Sequence, residues 1–229
     1  MAAFVVAPPA RPAASLLMFQ HIGGLSETMR VSAREAAARG YYCIVPDLYH
    51  RLGRIVIDPT NPDEHIAAIR TIAVNSLRGP TVMQDVRAAI DWLRDSGERS
   101  GPLGAIGYGA GAGAMLHVAG TEPALFGWVA AILGSGFVKP GRADSPHLVF
   151  DRIRARVYCA FAAADEILPA SLPAEVEERL TAARAEHRVV VHPGVRHGYC
   201  FPDRAAYDRE AAEADWCAVA ALREGAARG

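Results

Sequence analysis

The chain lacks the features that mark several classes of protein. Its formal net charge is only −1 and its isoelectric point lies near 6.7, so no field of one sign attracts nucleic acid or a lipid surface. No apolar run approaches the roughly 20 residues of a membrane-spanning helix. The opening residues lack a basic leader followed by an apolar block, so we expect no signal peptide. The expected partner is a small-molecule substrate, with no nucleic acid and no membrane, and the oligomeric state stays open.

Cysteine is also sparse. Four cysteines are scattered along the chain with no CxxC pair or other metal-binding spacing, so neither a metal nor another cofactor is expected. Scattered single cysteines are typical of free thiols in a reducing compartment. We therefore expect a cytoplasmic protein with four free thiols, which are Cys43, Cys159, Cys200 and Cys217.

The chain is rich in apolar residues, and they occur in a regular pattern. Of its 229 residues 51% are apolar, enough for a sizeable core, and no repeat or linker divides it, so we expect a single domain over residues 1–229. Short apolar runs alternate with stretches of helical period, which predicts an α/β fold: an open, mostly parallel sheet with helices on both faces. The predicted strands are 15–20, 41–46, 103–108, 129–133, 157–162 and 188–192. The predicted helices are 26–39, 82–96, 173–185 and 204–223, and residues 51–80 are predicted to be irregular.

A strand, a glycine-rich turn and a helix follow one another at residues 106–115. Gly107, Gly109 and Ala112 formally satisfy the dinucleotide-binding pattern G-x-G-x-x-G/A. That pattern belongs to the first strand–helix turn and needs an acid at the end of the next strand. Here about a hundred residues precede the turn and no such acid follows, so the context disfavours a dinucleotide site.

The same turn also fits a nucleophile elbow, G-x-Nu-x-G, in Gly107-Tyr108-Gly109-Ala110-Gly111. The catalytic acid and base should then follow in chain order, each after a strand. Asp165 and His197 do so. Either residue alone is more typical of an ordinary loop, but the three positions together predict the arrangement of a catalytic triad.

Several segments resemble the dienelactone hydrolase family of the α/β-hydrolase superfamily. They are the loop Gln20-His21-Ile22-Gly23-Gly24, the stretch Gly40-Tyr41 to Pro46-Asp47-Leu48-Tyr49, the elbow, and His197-Gly198-Tyr199. The resemblance implies a Cys-Asp-His triad that opens lactones or esters through an acyl-enzyme. It also implies an oxyanion hole formed by the backbone N–H groups of Ile22 and Ala110.

The chain departs from that family at the reactive position. Gly109 replaces the nucleophilic cysteine, and His21 stands where family members commonly carry a carboxylate. Ser135 and Cys200 are the alternative nucleophiles, but neither lies at the elbow. We expect Asp165 and His197 to form the remaining catalytic pair beside a vacant nucleophile position at Gly109. We expect His21, Tyr108 and Ser135 to contact the substrate.

Three functional hypotheses follow. The first is a hydrolase of a small ester or lactone in which Asp165 and His197 activate water directly. The second is a cofactor-free lyase, isomerase or cyclase that uses His197 to abstract a proton in the same pocket. The third is a binding pseudoenzyme without turnover. A screen of aryl esters and lactones, with a Gly109→Cys variant beside the native protein, distinguishes them.

Overall fold

The computed structural model describes residues 1–53, 55–59, 61–98 and 101–227. Within these ranges the chain forms seven strands and six α-helices, joined by short loops and 3₁₀ turns. The strands are β1 (Ala3–Val6), β2 (Ala14–Phe19), β3 (Tyr41–Pro46), β4 (Leu103–Tyr108), β5 (Trp128–Ile132), β6 (Arg156–Ala164) and β7 (His187–Arg196). The helices are α1 (Glu27–Ala38), α2 (Glu64–Ser76), α3 (Gly79–Asp95), α4 (Ala110–Thr121), α5 (Leu172–Ala182) and α6 (Arg209–Ala226).

The strands form one sheet in the order β1-β3-β2-β4-β5-β6-β7. β1 pairs antiparallel with β3, and every other neighbouring pair is parallel. Parallel strands need crossover connections, which the helices supply. The predicted open, mostly parallel sheet is therefore confirmed.

Both faces of the sheet are covered. Every residue of β2, β3, β4 and β5 is buried, as expected for strands packed between two layers of helices. Alternate strand residues enter two separate cores: Leu17 and Phe19 of β2 belong to the core that contains residues of α3, α4 and α5, whereas Leu16 and Met18 belong to the core that contains residues of α1 and α6. The predicted helices on both faces are likewise confirmed.

Local sequence signals explain the bounds of α1. The Ser26 hydroxyl accepts the N–H of Met29 at 3.4 Å and caps the first turn. Gly40 adopts φ 92° just after the helix, a conformation that favours glycine and ends the helix there. Both residues were predicted in these roles, and the helix lies within the predicted 26–39.

Two predictions about the fold are wrong. Residues 51–80 are not irregular, because they contain α2 and the start of α3. The Asp63 carboxylate caps α2 by accepting the N–H of His65 at 2.7 Å. Exposed apolar residues, Ile69 and Ile72, lie on the outer face of this helix and blur its amphipathic stripe in the sequence. The predicted helix 204–223 begins later, at Arg209, because the Asp208 carboxylate caps α6 by accepting the N–H of Ala211 at 3.0 Å.

The four cysteines are free in this structure; Cys43, Cys159 and Cys200 are buried and Cys217 is exposed. Across the described residues, no helix is both long and apolar enough to cross a membrane.

Candidate active site

Four loops meet at the carboxyl edge of the sheet, where open α/β proteins place their functional sites. They follow β2, β4, β6 and β7 and carry respectively His21 and Ile22, Gly109, Asp165, and His197. The fold thus brings the three predicted catalytic positions and the predicted oxyanion loop to one edge.

The turn after β4 has the backbone geometry of a nucleophile elbow. Gly109 adopts φ 52° and ψ −123°, a strained conformation that side chains rarely occupy. Its N–H donates to the carbonyl of Ile132 at 3.2 Å, and its own carbonyl accepts the N–H of Ser135 at 2.9 Å. The end of β5 and the loop after it therefore hold the elbow in place although Gly109 carries no side chain.

The two flanking glycines are required by close contacts. A Cβ atom at Gly107 would lie 2.6 Å from the Cα of Ala112, and one at Gly111 would lie 2.3 Å from the carbonyl oxygen of Gln20. At Gly109 the nearest atom to such a Cβ is the Cβ of His21, at 3.9 Å. At Gly109 the backbone conformation disfavours a side chain, whereas a Cβ atom itself would meet no clash.

Asp165 and His197 form a direct hydrogen bond. Nδ1 of His197 lies 2.8 Å from Oδ2 of Asp165, while Oδ1 of Asp165 accepts the N–H groups of Ile167 and Leu168, each at 2.8 Å. A carboxylate held in this way fixes the imidazole tautomer with its proton on Nδ1. The side chain of Asp165 is buried and that of His197 is 27% exposed, so Nε2 remains as a proton acceptor on a side chain that solvent reaches.

The two predicted oxyanion donors are available. No acceptor within the described ranges contacts the N–H of Ile22 or of Ala110. Around Ile22 the loop is tightly bonded, since the N–H of Gly24 donates to the carbonyl of His21 at 3.1 Å and that of Ile57 donates to Gly23 at 3.1 Å. Ala110 is the first residue of α4, where helix N–H groups carry partial positive charge.

His21 is a buried, neutral histidine. Its Nδ1 accepts the N–H of Gly23 at 2.8 Å, which leaves the proton on Nε2, 3.3 Å from the hydroxyl of Ser26. Burial, reinforced by the charge of Arg204, lowers the pKa of His21 to about 4. His21 therefore cannot activate Ser26 as a nucleophile, because the nitrogen that faces the hydroxyl already carries a proton. Through these two hydrogen bonds the His21 ring holds the loop that carries Ile22.

The other predicted site residues differ in their surroundings. Tyr108 is 4% exposed, and its ring packs in the core at a centroid distance of 5.2 Å from Phe201, a position that favours packing over substrate contact. Ser135 is half-buried beside the elbow, bonded to it through its backbone. Burial raises the pKa of the Cys200 thiol well above its usual range, so this residue is a poor nucleophile.

A polar group beside the site was not predicted from the sequence. The hydroxyl of Thr28 donates to Asp203 at 2.6 Å and accepts from Arg204 at 3.3 Å, which brings the segment after His197 against the start of α1. More than 170 residues separate these partners, so no local pattern announces the contact. Among the described residues no group of three or more His, Cys, Asp or Glu side chains is arranged to hold a metal.

A mostly parallel sheet with a nucleophile elbow after one strand and an Asp–His pair after two later strands defines an α/β-hydrolase. The model of the dienelactone hydrolase family matches residues 1–223, and the chain belongs to that family of hydrolases.

Known proteins resemble it at modest identity. A Synechocystis protein provisionally named carboxymethylenebutenolidase is 26% identical over 210 residues, which cover 90% of this chain and 84% of the relative. A Klebsiella pneumoniae structure, provisionally a dienelactone hydrolase, has a TM-score of 0.83 at 24% identity and covers 97% of this chain and 92% of its own. A dienelactone hydrolase-like promiscuous phosphotriesterase from metagenomic libraries has a TM-score of 0.71 at 20% identity, covering 94% and 87%.

Proposed function

We propose that this protein hydrolyses a small ester or lactone by direct attack of a water molecule that His197 and Asp165 activate. The observation that carries the proposal is the bond of 2.8 Å between these two side chains, at the edge where Gly109 keeps an elbow backbone without a nucleophile. The Asp165–His197 pair has no cysteine thiol at Gly109 to activate. Its geometry nevertheless suits the transfer of a proton from water to His197.

The reaction needs one base and one oxyanion site. Water occupies the space that a nucleophilic side chain takes in other elbows, and Nε2 of His197 accepts a proton as the oxygen attacks the carbonyl carbon. The resulting oxyanion accepts hydrogen bonds from Ile22 N–H and Ala110 N–H. Collapse of this intermediate breaks the bond to the leaving oxygen, which takes the proton back from His197. No atom of the protein becomes acylated.

The base and the oxyanion hole each accelerate a reaction by a known order of magnitude. Proton transfer by a positioned side chain contributes roughly 10²–10⁴-fold to a rate. Oxyanion stabilisation and binding alone leave roughly 10³–10⁴-fold catalysis over water when triad residues are removed. A site with a base and an oxyanion hole but no nucleophile therefore retains enough for measurable, slow turnover.

The relatives suggest which substrates to test first. In the proposed mechanism the substrate carbonyl lies beside Gly109, where the nearest atom to an added Cβ is the Cβ of His21, at 3.9 Å. The relatives named carboxymethylenebutenolidase make butenolide lactones the first substrates to test.

The experiment is a screen of purified protein against short-chain aryl esters, simple lactones and butenolides, with His197→Ala and Asp165→Asn measured in parallel. We expect slow hydrolysis by the native protein, loss of turnover in His197→Ala, and impaired turnover in Asp165→Asn because the wrong tautomer becomes available. Cys217→Ser, at an exposed position on α6 that is not among the predicted site residues, serves as the control and should keep the native activity.

Turnover that survives in His197→Ala would overturn the assignment of His197 as the base. A native protein that binds ligands, as detected by a thermal shift, but turns over none would replace hydrolysis with a binding role. In that case His197→Ala would weaken binding by about one hydrogen bond, roughly 0.5–1.5 kcal/mol.

A further inference from the structure

A second cluster of polar side chains lies buried outside the site. The Asp215 carboxylate on α6 accepts hydrogen bonds from the hydroxyls of Tyr158 at 2.7 Å and Tyr199 at 2.6 Å, and Nε2 of His192 lies 2.7 Å from it. All four side chains are buried. Burying a carboxylate costs free energy unless several donors surround it. The three donors therefore fix the position of Asp215, and Asp215 fixes theirs.

The cluster is joined to His197 by a tight turn. The N–H of Tyr199 donates to the carbonyl of Arg196 at 3.2 Å, which closes a four-residue turn with His197 and Gly198 at its centre. Gly198 has φ 92°, as the third position of a type II turn requires. His197 therefore lies in a turn with two ends. The first end, Arg196, is the last residue of β7, and the second end is Tyr199.

The two ends of this turn are held by different contacts. Arg196 is held by the sheet, in register with Ala164 of β6. Tyr199 is held by its side chain, whose hydroxyl binds Asp215 and whose ring packs against His192 at a centroid distance of 5.2 Å. Its carbonyl also accepts the N–H of Asp208 at 3.0 Å, next to the start of α6.

We propose that Asp215 and Tyr199 are positioning residues that hold the His197 turn so that its imidazole stays bonded to Asp165. They do not touch the reacting atoms. The inference rests on the proposed function for its effect on turnover, but the geometry that it concerns is measurable without substrate.

The matched pair of variants is Tyr199→Phe and Tyr158→Phe. Each removes one hydroxyl from the same carboxylate, but Tyr199 belongs to the His197 turn whereas Tyr158 lies in the middle of β6. Thermal unfolding of both reports the purely structural cost. We expect kcat for a small ester to fall about tenfold in Tyr199→Phe, with KM little changed, and to stay near the native value in Tyr158→Phe. Equal kcat values in the two variants would overturn the inference.

A second readout does not depend on turnover. The Nδ1–H proton of His197 bonded to Asp165 gives a low-field proton resonance when its exchange with water is slow, and its disappearance in His197→Ala assigns it. We expect exchange to quicken about tenfold in Tyr199→Phe but not in Tyr158→Phe. If the native protein hydrolyses no ester, the proposed function fails while this measurement still decides the positioning role. An unchanged resonance in Tyr199→Phe would refute that role.

Discussion

Restoring a nucleophile at Gly109 tests how much of the site survives. A Cβ atom at Gly109 meets no atom closer than the Cβ of His21 at 3.9 Å, so its first side-chain atom adds no clash. The backbone at φ 52° and ψ −123° disfavours any side chain by about 1–3 kcal/mol. Loss of glycine's freedom in the unfolded chain offsets about 0.4–1 kcal/mol of this. The net loss of stability is therefore about 0–2.6 kcal/mol. Since 1 kcal/mol corresponds to roughly 2–4 °C for a chain of this length, we expect Tm to fall by no more than about 10 °C.

Gly109→Ala is the control, because it carries the same backbone strain without a thiol. Both variants should lose the same stability in thermal unfolding, but only Gly109→Cys should show an acyl adduct by intact-mass spectrometry and a burst with activated aryl esters. A folded Gly109→Cys protein that forms no adduct with any ester or lactone would show that the base or the oxyanion donors are misplaced, and the account of the site would be wrong.

Three further predictions concern packing, thiols and pH. Gly111→Ala should lower the free energy of unfolding by about 3 kcal/mol or more, because its Cβ would lie 2.3 Å from Gln20 O; urea unfolding no different from Gly109→Ala would contradict this. A thiol reagent should modify one cysteine per native chain, the exposed Cys217, and Cys217→Ser should react with none until it is denatured. Because the pKa of His21 is lowered to about 4, the unfolded chain binds a proton below about pH 6.5 that the folded chain does not. The free energy of unfolding should therefore fall as the pH is lowered, by about 2 kcal/mol between pH 7 and pH 5, and less in His21→Gln; parallel curves for the two proteins would refute this.

The parts of the fold that could be predicted are those with strong local signals. β3 and β4 match their predicted bounds because each is a fully buried apolar run. β1 was missed because it is a short, partly exposed edge strand that pairs with a distant segment. α2 was missed because little of its surface is buried. Neither element carries the periodic pattern on which such prediction depends.

For the candidate site, too, some features could be predicted from the sequence and others could not. The order and spacing of Gly109, Asp165 and His197 predicted the carboxyl-edge arrangement, because chain order and strand ends are both visible in the sequence. The orientation of Tyr108 was also available, since strand alternation puts it on the same face as Ile106, toward the core that α1 and α6 cover.

Other contacts of the site could not be foreseen. The bond between His21 and Ser26 depends on a loop conformation, and the Asp215 cluster joins α6, β6 and β7 through side chains distant in sequence. Its one signal is a charged residue in the apolar stripe of α6, one turn from Ala211 and from Val219.

Rapid-quench intact-mass spectrometry during steady-state hydrolysis of a small activated ester tests the central claim most directly. The same quenched samples give the amount of product and the mass of the protein. If His197 activates water for direct attack, product accumulates over many turnovers while the native protein keeps its unmodified mass at every time point. A stoichiometric acyl adduct on the native chain, on Ser135, Cys200 or any other residue, would contradict the claim and identify a nucleophile in its place.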